Sequence, residues 1–149
     1  MEAKLNVQGL RISTKQSIEV CKAIRDQDLD KAKKILQDSI DLKKPIPFKT
    51  FNRDMGHKKG MAAGRFAVNT CTEMLNLLNS VEKNAENKGL TGNLFIAKAV
   101  ANFGPTSWHF GRKRRRQMKS THIELILKEK EKIEKKTEEK KEVKKETKK

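Results

Sequence analysis

The chain has no tyrosine, one tryptophan, three prolines and two cysteines in 149 residues. So few cysteines exclude a disulfide scaffold. Neither Cys21 nor Cys71 belongs to a Cys-x-x-Cys pair of the kind that binds zinc or cycles electrons. Both fall on helical spacing and are expected as reduced core thiols. No apolar run approaches the ~20 residues that a membrane-spanning helix needs. The N-terminal MEAKLNVQGLR lacks the apolar stretch of a secretory signal, so a soluble cytoplasmic protein is expected.

Catalytic and metal constellations are equally scarce. His57, His109 and His122 have no second His or Cys at ligand spacing. There is no Gly-x-Ser-x-Gly, no phosphate-binding glycine loop and no paired-carboxylate pattern. Asp26, Asp28 and Asp30 alternate at the start of a predicted helix. Acids there complement the helix dipole, a better reading than a magnesium site. An enzyme is not expected, nor is any metal or cofactor.

What the chain has is positive charge: 35 Lys and Arg against 19 Asp and Glu, net +16. Residues 128–149 hold 11 Lys and 7 Glu with only two apolar residues, and are read as a charged C-terminal tail, solvated or helical. The globular part, 1–127, then carries +12, and that excess is concentrated. Residues 43–65 hold seven cations and one acid; residues 87–123 hold eight cations and no acid. Charge confined to two segments is a footprint for an anionic partner.

Along the chain, residues 4–10 alternate as a short strand. Ser13 and Gln16 have capping-box spacing ahead of a helix near 14–25. Asp28 is a plausible N-cap for a second helix carrying Leu29, Ala32, Ile35, Leu36 and Ile40, which Pro45 and Pro47 end. Residues 49–64 read as an irregular loop, and 61–88 as the strongest helix, closed by Gly89. The apolar run 94–100 reads as a strand buried on both faces. At 121–127, Ile123, Leu125 and Leu127 alternate with His122, Glu124 and Ile126, a half-buried strand. The order β-α-α-α-β-β is that of an α+β domain. The two last strands are joined by a basic connection of about 20 residues, a hairpin with a long arm.

Within that arm, Trp108, His109 and Phe110 offer flat faces for unpaired bases. Arg112, Lys113, Arg114, Arg115 and Arg116, with Lys119, offer phosphate donors, and the Arg fork suits phosphate. Aromatics beside arginine clusters suit irregular RNA, whose splayed bases stack. Alternatives at this point are a targeting signal or flexible tail for the cationic run, a core position for Trp108, and a solvated surface for loop 43–65. That last alternative would leave Phe48, Phe51, Met55 and Met61 exposed without reason.

The stretches GLRISTKQSIEVCKAIR, AKKILQDSI, KKPIPFKTFNRDMGHKKG, AGRFAVNTCTEMLNLLNSVEKNAENKGL and MKSTHIELIL resemble the universal large-subunit ribosomal protein twenty-two family, in its archaeal/eukaryotic branch, over residues 3–127. The resemblance implies three helices packed on a small three-stranded antiparallel sheet, with an extended basic β-hairpin arm at about 102–121. It implies a structural protein of the large subunit near the polypeptide exit, bound to large-subunit rRNA and neighbouring ribosomal proteins. The arm would line the tunnel beside the nascent polypeptide with Arg112, Lys113, Arg114 and Arg115, and the domain would support subunit assembly. The candidate RNA contacts are Arg11, Lys15, Lys43, Lys44, Lys49, Arg53, His57, Lys58, Lys59 and Arg65; Lys83, Asn84, Asn87 and Lys88; and Trp108, His109, Arg112 to Arg116, Lys119 and His122. An arm with almost no core is expected to order on binding. The chain departs from the family between Gly104-Pro105 and Phe110-Gly111-Arg112, where four residues stand in place of a longer stretch. The rival reading is a free regulatory module that binds RNA or DNA.

Overall fold

The structure, a computed structural model, describes residues 2–90 and 92–130. Its main sheet has three antiparallel strands in the order β1-β6-β5: β1 is Glu2–Leu10, β5 Leu94–Phe103 and β6 Thr121–Glu129. Three helices, α1 (Thr14–Ile24), α2 (Leu29–Ile40) and α3 (Val68–Asn87), pack on it. The expected α+β fold is therefore present. Ile123, Leu125 and Leu127 of the central strand point inward. They are buried with Ala3 of β1 and Ile96, Ala99 and Ala101 of β5, against Val20, Ile24, Leu36, Met74, Leu78 and Val81 of the helices. At a fully buried position such as Leu125, truncation to Ala costs about 2–5 kcal/mol.

Two bulges shape the sheet. Ala97 is the extra residue between Ile96, opposite Leu127, and Lys98, opposite Ile126. Ile96 and Ala99 thus share the inner face although three residues apart. In β1 the register shifts between Val7 and Leu10, where Gly9 has φ 73°, a backbone that glycine adopts without steric cost.

Several sequence expectations need correction. Strand β5 is buried on one face only, because all three helices lie on the same side; Lys98 and Asn102 are exposed on or beside the other. Helix α3 starts at Val68, not near 61. Ala62–Arg65 forms a strand, β4, in a second sheet ordered β2-β4-β3, with β2 at Ile46–Pro47 and β3 at His57–Lys58. The partners of β4 are distant in sequence, and helical periodicity carries no trace of them. Gly64 lets the two backbones close up: a Cβ there would lie 3.3 Å from the Ile46 carbonyl oxygen. Segment 49–64, read as irregular, therefore holds β3 and most of β4.

Ser13 is the N-cap of α1, yet the capping box does not form. The Ser13 side chain caps nothing, and its carbonyl accepts the Ser17 hydroxyl at 2.9 Å. Gln16 Oε1 instead accepts the Thr70 hydroxyl at 3.2 Å, tying α1 to α3. Asp28 caps α2 by backbone position alone. Its carboxylate bonds Lys130 and Lys31, which hold its pKa down at about 2. Gly89 closes α3 as expected, with φ 75° and the Leu90 N–H returning to the Ala85 carbonyl at 3.0 Å. Strand β6 continues through Lys128 and Glu129, the first residues of the expected tail; residues 131–149 lie outside the described residues.

Candidate nucleic-acid interface

Beyond the last pair of the main sheet, Phe103 opposite Thr121, β5 and β6 continue as a two-stranded ribbon. The Gly104 N–H donates to the Ser120 carbonyl (3.0 Å), Met118 N–H to Ser107 (2.7 Å) and His109 N–H to Arg116 (2.9 Å), with Trp108 bridged to Gln117. A 3-10 turn at Gly111–Lys113 closes it, with Gly111 at φ 64° and Arg115 at φ 65°. From Gly104 to this turn the ribbon spans roughly 25 Å. No residue from 102 to 120 is buried. Trp108 is 60% exposed, Phe103 68% and Phe110 87%, so Trp108 is no core residue. Among the described residues, Arg112, Lys113, Arg114, Arg115, Arg116 and Lys119 make no ion pair.

The arm's root is tightly organised. Thr121 donates to the Ile12 carbonyl at 2.9 Å, and its hydroxyl lies 2.7 Å from that of Thr14 in the first turn of α1. A hydroxyl has one proton. With Thr121's directed at Ile12, Thr14 is the donor of the pair. His122 Nδ1 accepts the Gly9 N–H at 3.1 Å. Gly104 leaves room for that ring: a Cβ there would stand 3.1 Å from it. Arg11, His109, Gln117, Met118 and Lys119 surround a hollow of about 280 Å³ at this root.

The second basic segment hangs on a residue that the sequence reading missed. Glu19 of α1 is 1% exposed. Its Oε1 accepts the backbone N–H groups of Thr50 (2.8 Å) and Phe51 (3.0 Å), and its Oε2 that of Lys49 (3.1 Å). Burial pushes the Glu19 pKa up, but the three N–H donors and Lys22 outweigh it and hold the carboxyl below its ordinary value. The available signal was an acid on a helix face otherwise occupied by Val20, Cys21 and Ile24. With the loop so fixed, Phe48 is buried, and Phe51, Met55 and Met61 are half-buried. The loop's apolar residues thus serve the core. Between α1 and the loop lies a cleft of about 460 Å³, floored by Phe48, Phe51 and Met55 and rimmed by Lys15, Gln16, Arg53, Asp54 and Arg65. The Lys15 ammonium stands 5.9 Å from the Phe51 ring centre, and Lys58 stands 5.8 Å from that of Phe66, within cation–π reach.

The structure therefore joins Lys15, Arg53 and Arg65 in one cleft, and Arg11, His109 and Lys119 in one hollow. The first turn of α1 lies between the two. His57, Lys58 and Lys59 sit exposed on and beside β3. Lys43 follows α2 and pairs with Asp41 at 3.0 Å; Lys44 and Lys49 are exposed. Lys83, Asn84, Asn87 and Lys88 lie elsewhere. Lys88 donates to the Glu2 carbonyl (3.2 Å) at the sheet end away from the arm, about 25 Å off by strand length. Among the described residues there is no metal-holding cluster, and no helix is long and apolar enough to cross a membrane.

Residues 5–128 match the family of ribosomal protein L22p/L17e. The large ribosomal subunit protein uL22 of Methanococcoides burtonii is 45% identical over 104 residues, 68% of this chain and 69% of the relative. That of Methanoculleus marisnigri is 39% identical over 136 residues, 85% of this chain and 89% of its own length. That of Nanoarchaeum equitans is 40% identical over 136 residues, 85% and 78%. The chain belongs to the ribosomal protein L22p/L17e family, in its archaeal branch, and is a structural constituent of the large ribosomal subunit, not an enzyme.

Proposed function

We propose that the chain binds large-subunit rRNA near the polypeptide exit and supports subunit assembly there. Its arm, residues 102–121, enters the tunnel wall and turns Arg112, Lys113, Arg114 and Arg115 toward the nascent chain. Neighbouring ribosomal proteins of the cytoplasmic large subunit are its other partners. The observation that carries this reading is the arm itself: six cations without an acidic partner among the described residues, three exposed aromatics, and no buried residue from 102 to 120. Like charges so crowded repel one another, and surrounding phosphate relieves that repulsion. The cleft beside α1 and the hollow at the arm root extend the same positive surface onto the domain. The short stretch between Pro105 and Phe110 limits how far the arm reaches along the tunnel.

Sedimentation of a cell lysate through sucrose at moderate and high salt, with and without ribonuclease, tests the reading. Co-migration with large subunits that survives the salt wash and is lost with ribonuclease is expected. A protein that stays at the top of every gradient would sink it and favour a free nucleic-acid-binding module.

A further inference from the structure

The cleft between α1 and the 48–55 loop is built unlike the rest of the basic surface. The arm is open on all sides, whereas this cleft is concave. Its volume of about 460 Å³ lies within the ~300–1,000 Å³ of small-ligand sites. Its wall is rigid, because the buried Glu19 carboxylate holds three successive backbone N–H groups of the loop. Its floor is apolar and includes an aromatic ring, Phe51. Its rim carries Lys15, Arg53 and Arg65, which make no ion pair among the described residues.

One rim residue does not fit a pure phosphate site. Asp54 is the only acid between residues 43 and 65, is exposed, and likewise makes no ion pair among the described residues. A carboxylate there repels phosphate, but it accepts hydrogen bonds from a base. Guanine alone among the four RNA bases presents two adjacent donors, N1–H and N2–H₂, that match the two oxygens of a carboxylate. Opposite functionality is at hand in Gln16. Its Oε1 is engaged by Thr70, so its amide –NH₂ remains to donate, for instance to guanine O6.

We propose that this cleft receives one unstacked guanine nucleotide of the rRNA. The base lies on Phe51, displacing the Lys15 ammonium that now stands over the ring. Asp54 takes the N1–H and N2–H₂ edge. Lys15, Arg53 and Arg65 meet the flanking phosphates. This rests on the rRNA-binding reading above and adds a base-specific site to it.

Kethoxal, which modifies N1 and N2 of unpaired guanine, reports on that edge directly. Complexes of the full-length protein with large-subunit rRNA from the same organism are probed for the wild type, Asp54→Asn and Phe51→Leu. Asp54 is exposed, so its variant leaves the fold intact; thermal unfolding checks the Phe51 variant. The wild type is expected to protect one single-stranded guanine. Both variants should return its reactivity by about tenfold, the worth of the lost stacking for Phe51→Leu and of the lost charged hydrogen bonds for Asp54→Asn, with the arm's footprint unchanged. If D54N protects the same guanines as wild type while the arm footprint persists, the guanine site is wrong and the rRNA-binding reading stands. No footprint from the wild type anywhere would overturn both.

Discussion

The Thr121 hydroxyl, at the root of the arm, lies 2.7 Å from the Thr14 hydroxyl in the first turn of α1, and both residues are buried. Together with the Thr121 bond to the Ile12 carbonyl, this fixes where the arm leaves the domain. Thr121→Val keeps the shape and removes the hydroxyl, leaving the Ile12 carbonyl without that donor and the buried Thr14 hydroxyl with only its longer bond, 3.4 Å, to the Ser120 carbonyl. A loss of about 1–3 kcal/mol is expected, a fall in Tm of roughly 3–5 °C for each kcal/mol in a domain of this size. In a double-mutant cycle, T14V should cost much less in the T121V background than alone. Strictly additive losses would show that the two hydroxyls do not act together.

Glu19 should behave as a buried anion. Glu19→Gln keeps one acceptor oxygen and turns an –NH₂ toward a backbone N–H, so about 2–3 kcal/mol should be lost at neutral pH. The wild-type carboxyl titrates below its ordinary 4.5 in the folded state. Its stabilisation is therefore complete above pH 4.5 and disappears as pH falls through the lower folded value. The Tm difference between wild type and E19Q is expected to shrink from pH 7 to pH 3. A constant difference would mean that Glu19 is not the anion described.

Replacing Arg112, Lys113, Arg114, Arg115 and Arg116 together by Ser tests the arm without touching the core, since all five are exposed. If about ten phosphates are contacted in all, the wild-type slope of log K against log salt is near −7 to −9. Loss of five contacts should flatten it by roughly 3.5–4.5 and slow large-subunit assembly. An unchanged slope, with normal incorporation into ribosomes, would take the arm off the RNA.

Cys21 and Cys71 are buried and not paired. Burial pushes the Cys21 thiol up to about 12 and raises that of Cys71. Neither should react with a maleimide at neutral pH until the domain unfolds, so labelling should follow denaturant and not reagent concentration. Prompt modification of either thiol in native protein would contradict the packing.

Composition and periodicity alone determined the α+β class, the three main helices, the inward face of β6 and the two basic segments. Each is a local property, written in the spacing of apolar side chains or the sum of charges over neighbouring residues. Family membership was equally legible, because specific strings such as PFKTFNRDMGHKKG stand in the primary structure.

Only the tertiary structure decided the rest. Residues 62–65 continue a helical pattern in sequence but pair with Ile46 and His57, and long-range backbone pairing leaves no periodic trace. Gln16 has the spacing of a capping box but serves Thr70, since helix packing brought a better donor. Strand β5 is apolar throughout, yet one face stays open because the helices all fall on the other. Lys15 and Arg65 stand 50 positions apart in sequence and meet in one cleft because β4 pairs with β2 and Glu19 holds the loop that follows β2 against α1. Which charges share a site is set by which buried group anchors the backbone, and that is a matter of three-dimensional packing.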